Sequence, residues 1–173
     1  MIVKKRVEFL EKLAPFAKEH HAFLTDGEEE LVIKPDRVYE GDETEIAKNL
    51  LRRLENNYDK DLRLGFTTVG PHRDDLDVLI GGIDAKSYAS QGQMRTAALS
   101  LKLSEVDIFR SLSGENPVLI LDDVMSELDL KRRKKLLKCT EGIQTILTST
   151  HAERVLYGAE CNKIRIEDGH IKA

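Results

Sequence analysis

The sequence predicts an α/β fold with parallel strands in its second half and a mainly helical lobe at its amino end. Three observations predict it. Val118-Leu119-Ile120-Leu121 is a short unbroken apolar run between Pro117 and Asp122-Asp123, the pattern of a buried parallel strand. From residue 90 onward such strands alternate with helical stretches. Residues 1–62, by contrast, set apolar side chains at helical spacing and offer one short strand.

Composition narrows the class. With 173 residues the chain suits one domain, or one domain plus an appendage. At 40% hydrophobic and 34% charged it is too apolar to be disordered. A net charge of -4 gives no global basic signature for nucleic acid, which leaves room for a local basic surface. Trp is absent and aromatics are scarce, so base stacking is not expected to be the main recognition device. Cys139 and Cys161 lie far apart in no metal-binding spacing and read as reduced thiols of a cytosolic protein. No apolar run approaches membrane-spanning length and no secretory signal opens the chain, so a cytoplasmic location without a membrane partner is expected.

Taken in order, Val3, Val7, Leu10 and Ala14 predict a first helix, which Pro15 should kink or end, with residues 16–23 able to continue it. His20 and His21 are adjacent and diverge on a helix, so they are not a metal pair. Thr25-Asp26-Gly27 marks a turn, the acidic run at 28–30 a solvated one, and Leu31-Val32-Ile33 a short strand. A helix starts near Gly41-Asp42-Glu43-Thr44, with Ile46, Ala47, Leu50, Leu51 and Leu54 as its buried face. Residues 64–69 read as a strand, 70–75 as a turn dense in functional groups, and 76–80 as another strand. Gly81-Gly82 favours a hairpin answered by residues 83–88. A largely buried helix runs from Gln93 to about Leu112, followed by the strand at 118–121. A helix over 129–138, a buried strand over 145–148, a short helix over 152–157 and a hairpin around Glu167-Asp168-Gly169 complete the reading.

Several pieces carry chemistry. Asp122 and Asp123 stand at the carboxyl end of a strand, where open α/β sheets place their ligands. One acid can hold a hard cation and the next can orient a water, as phosphoryl chemistry requires. A strand ending in a solvated turn is the competing reading. Ser90-Gln91-Gly92-Gln93 precedes a long helix; Ser90 can cap it, and Gly92 allows a close backbone approach. Free N–H groups beside a small hydroxyl suit a phosphate, with a plain helix cap as the alternative. His72, Asp74 and Asp75 have a metal reading, but neighbours in sequence rarely converge on one ion, so a structural or coupling turn is preferred. Lys131, Arg132, Arg133, Lys134 and Lys135 form either a solvated helix face or a salt-sensitive DNA phosphate contact.

Order and spacing tie these pieces together. A Ser-x-Gly-Gln turn opening a buried helix, an apolar strand ending Asp-Asp, then Ser126-Glu127-Leu128-Asp129, then a strand ending before His151, resembles the carboxyl-terminal half of an ABC-type ATPase head. In that resemblance residues 90–93 stand for the signature motif, 119–123 for the Walker B strand, 126–129 for the D-loop and His151 for the switch histidine. Residues 68–75, 90–102 and 121–129 more narrowly resemble the RecF family of bacterial recombination and repair ATPases, relatives of SMC proteins. The likeness covers residues 64–173; position and pattern alone relate the start of the chain to the helical second lobe of such heads. The implied domains are 1–62, a helical second-lobe segment, and 63–173, the carboxyl-terminal half of the head. Transporter ATPase subunits fit less well, since they usually read Leu-Ser-Gly-Gly-Gln and Asp-Glu at these motifs.

The resemblance implies roles. Asp122 would hold Mg2+, and Asp123 would orient the attacking water. Ser90, Gln91, Gly92 and Gln93 would meet ATP bound to a facing subunit, and Asp129 would cross the same interface. His151 would sense the γ-phosphate. ATP would drive homodimerisation on DNA, at single-stranded/duplex junctions and beside other recombination mediator proteins, in replication, recombination and the SOS response. Hydrolysis would be slow. No Gly-x-x-x-x-Gly-Lys-Ser/Thr occurs, so the phosphate-cradling loop is missing. A carboxyl-terminal fragment is therefore implied, inactive as an ATPase by itself and expected to expose apolar surface. A non-catalytic interaction module of a repair complex and an ABC transporter ATPase subunit are the alternative readings.

Overall fold

The computed structural model of the protein describes residues 2–150 and 161–172. They divide into two compact units, Met1–Pro117 and Val118–Ala173.

In the first unit α1 (Ile2–Thr25) packs lengthwise against α4 (Gln91–Ser113). Val3, Leu10, Leu13, Ala17, His21 and Leu24 form the buried stripe of α1, at three- and four-residue spacing. Pro15 lies inside the helix and does not end it. It sits on the exposed side, and so does Glu11, whose carbonyl loses its helical partner. A three-stranded antiparallel sheet of order β1-β2-β3 joins β1 (Leu31–Pro35), β2 (Leu76–Ile80) and β3 (Ile83–Asp84). Leu31 pairs with Ile80 and Ile33 with Val78. Leu31 and Ile33 meet Leu10, Leu13 and Ala17 of α1 and Ala97 and Ile108 of α4 in one core. Burial of such side chains contributes about 1.5–3 kcal/mol each.

Three expectations in this unit are corrected. Residues 64–69 do not form a strand. Instead α2 (Glu43–Leu64) runs on to Gly65, which caps it in the left-handed conformation at φ 73°. Asp61 then accepts hydrogen bonds from the Thr68 backbone N–H (3.1 Å) and hydroxyl (2.6 Å), which fold the following loop back on the helix. The answering strand of the hairpin is only β3, because the Asp84 carboxylate accepts from Ser87 N–H and starts α3 (Ala85–Tyr88). Third, α2 begins as expected with an Asp42–Glu45 capping box, yet only Ile46 of its apolar stripe is buried; Leu51 is 57% exposed. Likewise α4 buries its middle, while Met94, Phe109 and Leu112 are exposed.

The second unit pairs β4 (Leu119–Asp122) with β5 (Thr145–Thr148) in parallel, Leu119 opposite Thr145 and Asp122 opposite Thr148. The parallel pairing is as expected, but the burial is one-sided. Leu119 and Leu121 are buried, whereas Ile120 is 65% and Ile146 51% exposed. Between the strands lie a short 3-10 helix (Val124–Glu127) and α5 (Leu130–Cys139). The terminal hairpin of β6 (Arg165–Glu167) and β7 (His170–Lys172) turns through Asp168 and Gly169, both at positive φ, as the sequence predicts. The helix expected over 152–157 lies outside the described residues. Neither Cys139 nor Cys161 is in a disulfide. Among the described residues no helix is long and apolar enough to cross a membrane.

Candidate functional site

Two surfaces carry the residues singled out by the sequence, one in each unit. In the first, Ser90 is the N-cap of α4 in a reciprocal capping box. Ser90 Oγ accepts from Gln93 N–H at 3.2 Å, and Gln93 Oε1 accepts from Ser90 N–H at 2.8 Å. A hydroxyl has one hydrogen and two lone pairs, so Ser90 Oγ keeps its hydrogen for a partner outside the turn. The Gln93 side chain is turned inward, and its Nε2 donates to Glu29 Oε1 at 2.6 Å. Gln91 and Gly92 are exposed. A Cβ added at Gly92 would meet nothing closer than Ser90 Oγ at 4.0 Å. Glycine costs a helix about 1 kcal/mol relative to alanine, and no packing inside this chain demands it there. The first turn of this 23-residue helix thus offers N–H groups, a hydroxyl and an unobstructed backbone to an anion.

In the second unit the parallel register sets Thr148 beside Asp122. Thr148 Oγ1 donates to Asp122 Oδ1 and accepts from Asp123 N–H at 3.1 Å. One hydroxyl therefore fixes the Asp122 carboxylate and the backbone that follows it. Asp123 sits at φ 50°, a left-handed conformation that aspartate tolerates better than most residues. It turns the chain out of β4 into the 3-10 helix, and Ser126 Oγ donates to its carbonyl at 2.8 Å. Asp129 caps α5, its Oδ1 accepting from Arg132 N–H at 2.9 Å while Oδ2 meets the Arg132 guanidinium at 2.9 Å. The backbone hydrogen bond from Arg132 is the main reason the Asp129 carboxyl is held below the usual aspartate value, and the nearby guanidinium acts in the same direction.

Asp122 fits a magnesium ion of a particular kind. Its carboxylate is exposed at a strand end, with Oδ2 left over after the Thr148 contact. Among the described residues no three His, Cys, Asp or Glu side chains converge on one point. One carboxylate with an open hemisphere suits an ion that brings phosphate and water ligands with it, not an all-protein cage.

The basic run on α5 divides by contact. Arg132 is engaged by Asp129, and Arg133 Nε donates to Leu128 O at 2.7 Å, so both steady the segment around Asp129. Five consecutive helical residues also span more than one full turn, so they share no single face. Lys131 and Lys134 are exposed with Lys138 beyond them, which leaves a lysine stripe at helical spacing. His151 lies outside the described residues.

The turn at 70–75 is a structural clamp. Asp74 has a nearly buried side chain; its Oδ2 accepts from Tyr39 Oη at 2.6 Å and from Arg6 at 3.4 Å, and its Oδ1 lies 3.7 Å from Arg37. Arg6 also donates to Pro71 O at 2.7 Å. Burial first, then the hydrogen bond to Asp74, raises the Tyr39 phenol above its usual value. Asp74 thus supports its unit, in line with the structural turn preferred from the sequence, while Thr148 and Glu29 support the site in a role that the sequence reading did not assign to them. For Thr148 the available signal was its place at the end of a parallel strand next to Asp122.

Comparison with known proteins follows the same lines. No family model matches the chain. The DNA replication and repair protein RecF of Clostridium beijerinckii is 42% identical over 152 residues, 88% of this chain and 41% of that protein. RecF of Clostridium perfringens strain 13 is 39% identical over 173 residues, 99% of this chain and 48% of that protein. RecF of Alkaliphilus oremlandii is 44% identical over 157 residues, 88% of this chain and 43% of that protein. Two structures of the recombination mediator protein RecF in the RecFOR pathway, described as RecF-ATPrS and RecF-ATP, match with TM-scores of 0.77 and 0.75. Both are 40% identical, and they cover 98% and 99% of this chain and 46% and 47% of their own. The chain spans about half the length of the relatives it matches. Its α/β fold with a helical amino-terminal part is that of part of a RecF ATPase head, as the motifs predict. In sequence and in fold, across nearly every residue, the chain is similar to about half of a RecF protein.

Proposed function

We propose that this chain supplies the signature, Walker B and D-loop side of an ATP-dependent DNA-binding protein of recombinational repair and replication. The observation that carries the reading is the first turn of α4, where the Ser90 hydroxyl only accepts within its capping box, so that its hydrogen is not used there, and Gly92 leaves the backbone open. Ser90, Gln91 and Gly92 meet the γ-phosphate of ATP held by a facing copy, with Gln93 bracing the turn from behind. Asp122 holds Mg2+ on the nucleotide bound to its own copy, and Asp123 orients the attacking water. An aspartate there is one methylene shorter than glutamate, which favours slow hydrolysis because in-line positioning dominates this chemistry. Asp129 and the D-loop cross the dimer interface, and His151 is the γ-phosphate sensor. Residues 1–62 act as the helical second-lobe segment of the head. DNA, including single-stranded/duplex junctions, and other recombination mediators are the partners; Lys131 and Lys134 are the most exposed members of the basic run. With no phosphate-cradling loop in its sequence, this chain alone does not turn over ATP. The test is Ser90→Arg in a full-length RecF protein carrying this chain, read by light scattering with and without ATP. Loss of ATP-dependent dimerisation supports the reading, and unchanged dimerisation rejects it.

A second reading, recruitment of a protein partner by the helical lobe, is favoured by one observation. Leu51, Leu54, Tyr58 and Leu62 are all exposed and fall on one face of α2. Removing residues 1–62 would also remove α1 and its core, so Leu54→Asp with Tyr58→Asp is the cleaner probe. Undiminished capture of repair partners by that variant would reject this reading.

A further inference from the structure

We propose that Glu29 is a positioning residue for the 90–93 turn: it locks the Gln93 amide and thereby holds Ser90 ready to receive ATP. The inference rests on the reading of that turn as an ATP contact. Glu29 belongs to the acidic run between α1 and β1, which the sequence presents as a solvated turn. Its neighbour Glu30 behaves that way, exposed and paired with Lys18 at the surface. Glu29 does not. Its side chain is 27% exposed, with one oxygen on Gln93 Nε2 at 2.6 Å and the other 3.8 Å from Nε2 of the fully buried His21.

A capping box is complete with two residues, each satisfying the other's backbone donor. Glu29 adds a third partner and removes a degree of freedom. A carboxylate only accepts hydrogen bonds, so the –NH2 end of the Gln93 amide must face Glu29. The oxygen end must then face Ser90 N–H, where it is found. A flipped amide would set two donors against each other at Ser90 and two acceptors against each other at Glu29. Setting the amide therefore sets the Ser90 backbone, and with it the direction of the hydroxyl.

The brace is anchored further back. His21 Nδ1 is 3.4 Å from Ser100 Oγ, two turns along the same face of α4 from Gln93. That hydroxyl already donates to Thr96 O at 2.8 Å, so toward His21 it acts as an acceptor. The imidazole thus ties α1 to α4 at Ser100, while the carboxylate ties the α1–β1 turn to α4 at Gln93. A partly buried carboxylate beside a buried histidine carries a desolvation cost that a plain helix cap would not require. Preorganising the turn against an anion supplied by another copy gives that arrangement a use.

The experiment compares wild type, Glu29→Ala, Glu29→Gln and Ser90→Arg in a full-length RecF protein carrying this chain. Three quantities are read: the ATP concentration for half-maximal dimerisation, nucleotide affinity of the monomer at protein concentrations below dimerisation, and the thermal midpoint. Glu29→Ala is expected to raise the half-maximal ATP concentration about tenfold, the loss of one charge-assisted hydrogen bond, with monomer affinity unchanged. Glu29→Gln, whose amide oxygen can still accept from Gln93, recovers most of that loss. If Ser90→Arg blocks dimerisation while Glu29→Ala dimerises like wild type, the positioning role is overturned and the trans contact stands. If Glu29→Ala impairs dimerisation only in proportion to a lowered thermal midpoint, and Glu29→Gln gives no rescue, Glu29 is merely structural and the proposal fails. If Ser90→Arg dimerises normally, the reading beneath the proposal fails.

Discussion

Thr148 donates its hydroxyl hydrogen to the Asp122 carboxylate across the parallel β4–β5 pair and, with the same oxygen, accepts from the Asp123 N–H. A side chain on the neighbouring strand thus governs both acids of the candidate magnesium site. Thr148→Val keeps the shape and removes both hydrogen bonds. With both partners exposed, it is expected to cost about 0.5–1.5 kcal/mol in urea unfolding, while Thr148→Ser is expected to stay close to wild type. Equal stability of the Val and Ser variants would show that the hydroxyl does not hold the strand ends.

The N-cap of α5 should respond to acid in a defined direction. Asp129 is held below the usual aspartate value, chiefly by the Arg132 N–H. A group with a depressed folded value contributes stability above its unfolded value and loses it as pH falls through the folded one. The contribution is therefore full at neutral pH and fades on acidification below the ordinary aspartate range. Asp129→Asn retains the cap without the titration, so its stability curve should be flatter there. Asp129→Ala is expected to cost about 1 kcal/mol at neutral pH. Parallel acid titrations of the wild type and the Asn variant by circular dichroism check this; identical slopes would refute it.

The 70–75 turn should behave as a clamp and not as a metal site. Asp74→Ala leaves Arg6, Arg37 and Tyr39 around an empty acceptor in a nearly buried place, and about 3–5 kcal/mol of destabilisation is expected. Asp75 pairs with Lys86 at the surface, so Asp75→Ala should change stability far less than Asp74→Ala. Chemical denaturation of the two variants separates them, and a reversed order would contradict the assignment.

The open face of β4 and β5 predicts association. Parallel sheets are ordinarily covered on both faces, yet here Ile120 and Ile146 lie exposed side by side on a two-stranded pair, with Val118 exposed at the start of the run. The chain by itself is expected to self-associate as its concentration rises, and Ile120→Lys with Ile146→Lys to reduce that. A wild-type chain that remains monomeric across sedimentation runs of increasing concentration would contradict the prediction.

Much of this was legible in the sequence because it is local. The Ser90 cap, the β4 run into Asp122 and the Asp168-Gly169 hairpin each depend on residues within a few positions of one another. The misreadings arise where capping and side-chain contacts, near or distant, override the local pattern. The 64–69 segment has β-branched residues but no strand, since Asp61 draws Thr68 back and Gly65 ends the helix late. Pro15 reads as a helix breaker, but packing of the α1 stripe carries the helix through it. Glu29 and Gln93 are separated by 64 positions, and no periodicity links a surface-like glutamate to a helix cap so far along the chain. The apolar stripe of α2 was legible as a pattern, but its exposure was not, because a pattern does not say what covers it.

The trans-acting role of Ser90 is tested most directly by mixing two variants of a full-length RecF protein carrying this chain, Ser90→Arg and Asp122→Ala. Each is expected to lack ATP turnover alone. If the signature turn completes a site on the facing copy, a mixed dimer gathers both lesions into one site and leaves the other intact. The mixture then regains turnover, about a quarter of wild type for random pairing in a two-fold dimer. No recovery on mixing, with both variants folded and binding DNA, would contradict the account.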